Sequence, residues 1–144
     1  MSTVLVINGP NLNLLGTREP DVYGSTTLAQ LNNLCIEWGA ELGLAVTAFQ
    51  SNHEGAIIDR IHAAAGDSDG IVINAGALTH YSYAVYDALV AVAIPTVEVH
   101  ISDIHSREEW RRASVIQPAC LVQISGEGLD GYRRALAILA EAAG

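Results

Sequence analysis

Arg18 and Tyr23 share a loop rich in Asn, Gly and Pro that runs from residue 8 to residue 24, directly after the apolar run Val4-Leu5-Val6-Ile7. A phenol ionises near pH ~10 and is a poor base at neutrality, but a guanidinium beside it stabilises the phenolate and lowers that value. If the two side chains meet, Tyr23 is a candidate general base. Glu98 and His100 form a second pair. Two positions apart in an apolar run, they fall on one side of a strand, where a carboxylate can orient an imidazole for proton transfer. A structural histidine satisfied by its neighbours fits the same pattern. Arg107, Arg111 and Arg112, interspersed with Glu108 and Glu109, read either as a solvated helical face or as a source of one anion contact near the end of that strand.

The composition narrows the chemistry. The chain has 144 residues and a formal charge of −9, which argues against nucleic acid or an anionic membrane as the main partner. It contains no lysine, so every permanent side-chain cation is one of seven arginines. An imine on a side-chain amine is therefore impossible, and a Walker-type phosphate loop lacks its usual lysine. Arginine keeps its charge and grips carboxylates through a planar fork, so these residues suit anchoring and electrostatic tuning. Cys35 and Cys120 lack metal or redox spacing and read as buried free thiols of a reducing compartment. No basic leader and no apolar run near the roughly 20 residues of a membrane span is present, so the expectation is a soluble, cytoplasmic protein.

The elements that must position these groups alternate. Strands are predicted at Val4–Ile7, Ala45–Phe49, Gly70–Asn74, Thr96–His100 and Ala119–Ile124. Helices are predicted from a cap at Ser25/Thr26/Thr27 to Gly43, around Ile57–Ala65, at Tyr81–Ala93 and at Leu129–Ala142. Five strands joined by crossovers predict one domain, residues 1–144, with a doubly wound, flavodoxin-like parallel α/β sheet covered on both faces. The carboxyl ends of its strands then form one rim carrying Asn8 and the loop after it, Asn74-Ala75-Gly76, and Glu98-Val99-His100-Ile101-Ser102. Three polar strand ends together favour a site over mere satisfaction of loop backbone.

Two attractive patterns are set aside. Gly126-Glu127-Gly128-Leu129-Asp130-Gly131 matches G-x-G-x-x-G, but the further strand and acidic residue of a dinucleotide site are missing, so tight turns and close helix packing explain it better. Glu98, His100, Asp103 and His105 cluster within eight positions without the spacing of a known metal site. His62, Arg133 and Arg134 read as surface residues.

The segments Gly9-Pro10-Asn11-Leu12-Asn13-Leu14-Leu15-Gly16, Arg18-Glu19-Pro20, Tyr23-Gly24, Gln50-Ser51-Asn52-His53-Glu54-Gly55, Asn74-Ala75-Gly76, Leu78-Thr79-His80, Glu98-Val99-His100-Ile101-Ser102 and Arg107-Glu108-Glu109 closely resemble type II 3-dehydroquinate dehydratase. The resemblance runs nearly end to end. It implies loss of water from 3-dehydroquinate to give 3-dehydroshikimate, a step of the shikimate pathway, with no metal or organic cofactor. It further implies that Tyr23 removes the proton beside the ketone and that Arg18, on a lid, lowers its pKa. Asn11 would position a water on the enolate, and His100, oriented by Glu98, would protonate the departing hydroxyl. Asn74, His80, Ile101, Ser102 and Arg111 would bind the substrate's carboxylate and hydroxyls, with Asp87 reaching into a neighbouring subunit of a trimer-based homododecamer. Trp110, Tyr81 and Tyr86 depart from the family's usual residues; the last two are placed by the sequence in the helix nearest the expected subunit contact. From another class, a non-catalytic flavodoxin-like binding module for a small anion would share the sheet but has no need for Arg18, Tyr23 and His100 together.

Overall fold

In the computed structural model, which describes residues 2–17, 21 and 24–143, five parallel strands form one sheet. They are β1 (Ser2–Asn8), β2 (Leu44–Gln50), β3 (Gly70–Asn74), β4 (Thr96–His100) and β5 (Val122–Ser125), in the spatial order β2-β1-β3-β4-β5. The helices are α1 (Leu28–Glu41), α2 (Glu54–Asp67), α3 (Tyr83–Val92) and α4 (Asp130–Ala143). The order reverses direction after β2, so β1 and β3 flank the switch point where ligands of such sheets bind.

The alternation of side chains along each strand feeds two cores. Val4, Val6, Val72, Val97 and Val99 face Leu31 and Cys35 of α1 and Tyr132, Leu136 and Leu139 of α4. Leu5, Ile7, Ile71 and Ile73 face Ile57 and Ile61 of α2 and Val85 and Leu89 of α3. The central strands β3 and β4 are buried along their whole length; β3 is the apolar run expected of a two-sided parallel sheet, whereas β4 also buries Thr96, Glu98 and His100. This is the flavodoxin-like doubly wound architecture that the alternating pattern predicts.

Local chemistry sets the boundaries. Thr27 caps α1 through a capping box: its hydroxyl accepts from the Gln30 amide at 3.2 Å, and the Gln30 side chain accepts from the Thr27 amide at 2.9 Å. The helix expected from Tyr81 begins only at Tyr83, because Gly76–His80 winds into a 3-10 turn and the Ser82 hydroxyl caps α3 by accepting from Val85 N at 3.1 Å. Tyr81 thus lies outside the helix in which the sequence placed it. The fifth strand also starts later than Ala119. Gln117–Ala119 is a 3-10 turn containing Pro118, and the Cys120 amide donates to Gln117 O at 2.9 Å, so Cys120 belongs to this turn and not to the strand.

The segment bearing Arg107, Arg111 and Arg112 is not one helix face. It consists of short 3-10 turns at Ile104–Ser106 and Glu109–Arg111 joined by extended backbone. The glycine pattern before α4 serves packing: a Cβ at Gly131 would stand 3.2 Å from Ile124 and 3.3 Å from Val99, while Gly126 and Gly128 take positive φ in the turn. Arg133 pairs with Glu41 at the surface, and Arg134 with Glu127. Among the described residues, no helix is long and apolar enough to cross a membrane.

Candidate active site

The carboxyl ends of β1, β3 and β4 open onto a cleft. One wall is Pro10, Asn11 and Leu12 after β1. Opposite stand Ile101, Ser102 and Ile104 after β4, with Asn74 and His100 at the floor and His80, Arg107 and Arg111 closing the side. The loops after β1 and β3 touch closely: an added Cβ on Gly9 would lie 2.6 Å from Ala75 O, so only glycine fits there.

Glu98 and His100 point to the same side of β4, as their two-residue spacing requires. Glu98 is fully buried and His100 nearly so, and His100 Nε2 lies 2.5 Å from Glu98 Oε2. A buried carboxylate that accepts the Nε2 proton fixes the ring's orientation and leaves Nδ1 as the nitrogen it does not engage. His80, from the turn after β3, runs nearly parallel to the His100 ring at 6.4 Å and bonds through Nδ1 to Ala113 O at 2.7 Å. Burial pushes its pKa below the ordinary value, opposed in part by that bond. Trp110 meets His80 edge-on at 5.4 Å and carries the Arg111 guanidinium 4.1 Å over its own ring.

Asn74 is held from below. Its amide donates to Tyr132 Oη at 3.0 Å and its oxygen accepts from Gly76 N at 3.2 Å, while the Tyr132 hydroxyl donates to Asn8 Oδ1 at 2.6 Å. Tyr132 is completely buried, and burial pushes its pKa up, so it remains a donor. Asn11 adopts the left-handed conformation (φ 70°), and its amide donates to Asn52 Oδ1 at 2.9 Å. Gln50, at the end of β2, clamps the same loop by donating to Gly9 O and Asn52 Oδ1. After β4, the carbonyls of Ile101 and Ser102 accept from the amides of Gly128 and Gly126, which sets the peptide planes at the rim. Arg111 Nε donates to Glu108 at 2.8 Å and holds that carboxyl below its ordinary range, and Arg107 stands 3.5 Å from Ser102 Oγ.

Of the residues the sequence singles out, Asn11, Asn74, His80, His100, Ile101, Ser102 and Arg111 line the cleft, with Glu98 behind His100. Arg18 and Tyr23 lie outside the described residues. Asp87 is exposed on α3 and is not part of its own chain's cleft. Sequence reasoning left open whether Arg107 and Arg111 face solvent or site; both line the cleft. It gave no role to Tyr132, Gln50, Asn52 or Gln123. Their hydrogen bonds to Asn8, Gly9, Asn11, Asn74 and Glu98 join residues at least 25 positions apart, and no short spacing announces those. Among the described residues, no group of three or more His, Cys, Asp or Glu stands together as metal ligands.

The comparisons with known proteins agree with one another. Residues 2–140 match the family described as dehydroquinase class II. A 3-dehydroquinate dehydratase of Caldicellulosiruptor saccharolyticus is 59% identical over 100% of both chains. One of Ruegeria pomeroyi is 56% identical over 97% of this chain and 94% of its own. The crystal structure of a type II dehydroquinase from Butyrivibrio crossotus superposes with a TM-score of 0.94 at 51% identity, covering 96% of this chain and 97% of that one. With sheet, cleft and kinship in agreement along the whole length, the chain belongs to the class II dehydroquinase family.

Proposed function

We propose that this protein dehydrates 3-dehydroquinate to 3-dehydroshikimate, a hydro-lyase step of the shikimate pathway that leads to aromatic amino acids, without metal or organic cofactor. The observation that carries the reading is the buried Glu98–His100 pair opening onto a cleft faced by two arginines, in a chain of this family. Tyr23, with its pKa lowered by Arg18, takes the proton beside the ketone, and an enolate forms. Asn11 positions a water against the enolate oxygen. His100, oriented by Glu98, gives a proton to the departing hydroxyl, and water leaves. Ile101, Ser102 and Asn74 hold hydroxyls and carboxylate, with His80 and Arg111 closing around them; pre-set donors of this kind act on developing charge without reorganising.

The same reading makes the protein a homododecamer of trimers, in which Asp87 of one subunit completes a neighbour's site. Support comes from α3, which is apolar on nearly every side and has Asp87 as its one charge. Tyr83 and Val90 are 67% and 51% exposed there, a surface that a helix normally buries. Residues 1–144 act as one domain in the cytoplasm. Adding 3-dehydroquinate to the purified protein should produce the ultraviolet absorbance of a conjugated enone. Borohydride added with substrate should trap no adduct, since no lysine exists to form an imine. A substrate-dependent mass increase would overturn the enolate route. Ligand binding without enone formation would favour the anion-binding module.

A further inference from the structure

The strand register places Gln123 of β5 directly beside Glu98 of β4, and Ser125 beside His100. Cross-strand neighbours project to the same face, so β5 presents two polar side chains to Glu98 and His100 of β4. Ser125 uses its hydroxyl on the rim, accepting from Ile104 N at 3.0 Å and donating to Ser102 O at 3.2 Å. Gln123 acts deeper. Its amide nitrogen donates at 3.1 Å to Glu98 Oε2, the same oxygen that receives His100 Nε2, while Glu98 Oε1 is buried with no partner among the described residues. The far end of Gln123 is also held: its oxygen lies 3.2 Å from His105 Nε2, and as that oxygen can only accept, the histidine nitrogen carries the hydrogen. His105 is exposed, and its turn is pinned by its amide donating to Asp103 at 3.0 Å.

We infer that Gln123 is a positioning residue for the acid half of the reaction, holding the Glu98 carboxylate in the orientation that receives His100, with His105 anchoring Gln123 from the surface. The inference rests on the dehydratase reading for its kinetic arm. A wholly buried carboxylate has few ways to be satisfied, and a hydrogen bond to a charged group is among the stronger kinds. Without the amide, Oε2 keeps only the histidine, and the carboxylate is free to rotate Oε1 into its place. Among the described residues, His80, Arg107 and Arg111 line the cleft with His100, and Cys120 stands at the turn before β5. His80 bonds to Ala113 O, Arg111 donates to Glu108 and Cys120 donates to Ile116 O rather than to Glu98.

Three variants of the full-length protein test this. Gln123→Met keeps length without the donor, and kcat should fall on the order of 10-fold with KM within about twofold, the split expected of a group that acts only on the chemical step. Gln123→Glu keeps the shape but sets a second carboxylate against the first. Its activity relative to wild type should be lowest at alkaline pH and recover on mild acidification, when a protonated acid can donate in the amide's place. His105→Ala leaves the interior untouched and should cost kcat about twofold. Independently of turnover, the ring nitrogen resonances of His100 should shift in Gln123→Met. Unchanged kcat and pH profile, or a loss confined to KM, with unmoved His100 resonances, would overturn the inference. A wild-type protein inactive on 3-dehydroquinate would instead strike the dehydratase reading, and the His100 resonances would still decide the role of Gln123.

Discussion

Replacing Tyr132 by Phe removes one oxygen and nothing else, and the structure says what that oxygen does. It donates to Asn8 Oδ1 at 2.6 Å and accepts from Asn74 Nδ2 at 3.0 Å, inside a side chain with no solvent exposure. Asn8 is 1% exposed, and its own Nδ2 has no partner among the described residues, so its oxygen would become a second orphan in the same amide. A buried polar group stripped of its partner costs about 1–3 kcal/mol. Asn74 lies at the cleft floor, where solvent can replace part of its lost bond, so the two effects sum to about 2–3 kcal/mol, with no cavity contribution because the ring remains. Urea unfolding, followed at matched protein concentration because assembly shifts apparent stability, should report that loss. The KM for 3-dehydroquinate should rise severalfold, since Asn74 keeps only its bond to Gly76 N as an anchor. A Phe variant within about 0.5 kcal/mol of wild type, the range of an ordinary surface substitution, with unchanged KM would refute the network's role.

Further expectations concern titration and assembly. His80 has its pKa lowered from the ordinary 6.5, chiefly by burial. The unfolded chain therefore binds the proton more readily, and His80 costs stability as pH falls through 6.5 toward the lower folded value; a His80→Gln variant should show a flatter acid-side stability curve in thermal melts. Cys35 and Cys120 are both pushed up to about 12, mainly by burial, so iodoacetamide at neutral pH should alkylate neither until the protein is unfolded, as mass spectrometry can count. If Asp87 completes a neighbour's site as proposed, mixing Asp87→Ala with Tyr23→Phe subunits should regain part of the activity that each lacks, because mixed assemblies would contain sites with both groups intact; no recovery on exchange of subunits would refute a shared site.

The fold was legible because its signals are local. Val and Ile runs bounded by Gly, Asn and Pro mark the buried strands, and the Leu28–Leu42 spacing marks α1 to within a residue. The errors fall where side chains compete with helix and strand for backbone groups. Ser82 starts α3 two residues later than Tyr81, and the Gln117–Ala119 turn takes Cys120 out of β5. At the site, spacing alone paired Glu98 with His100 and placed Asn74 and Ser102 on the rim. It could not choose between solvent and cleft for Arg107 and Arg111, since that depended on the chain folding back in 3-10 turns. Tyr132 and Gln123 were invisible for a plainer reason. Each acts on a residue at least 25 positions away: strand register sets Gln123 beside Glu98, and the packing of α4 on the sheet sets Tyr132 against Asn8 and Asn74.

The central claim is that one cleft performs two separable proton transfers, removal at carbon by Tyr23 and delivery to the leaving hydroxyl by His100. Nuclear magnetic resonance of 3-dehydroquinate incubated in deuterium oxide with the two variants separates them. His100→Ala should exchange the proton beside the ketone for deuterium faster than it forms 3-dehydroshikimate, because the enolate forms and returns, while elimination slows on the order of 10²–10⁴-fold. Tyr23→Phe should bind substrate and do neither. Elimination by Tyr23→Phe, or a His100→Ala protein that eliminates at the wild-type rate, would contradict the assignment.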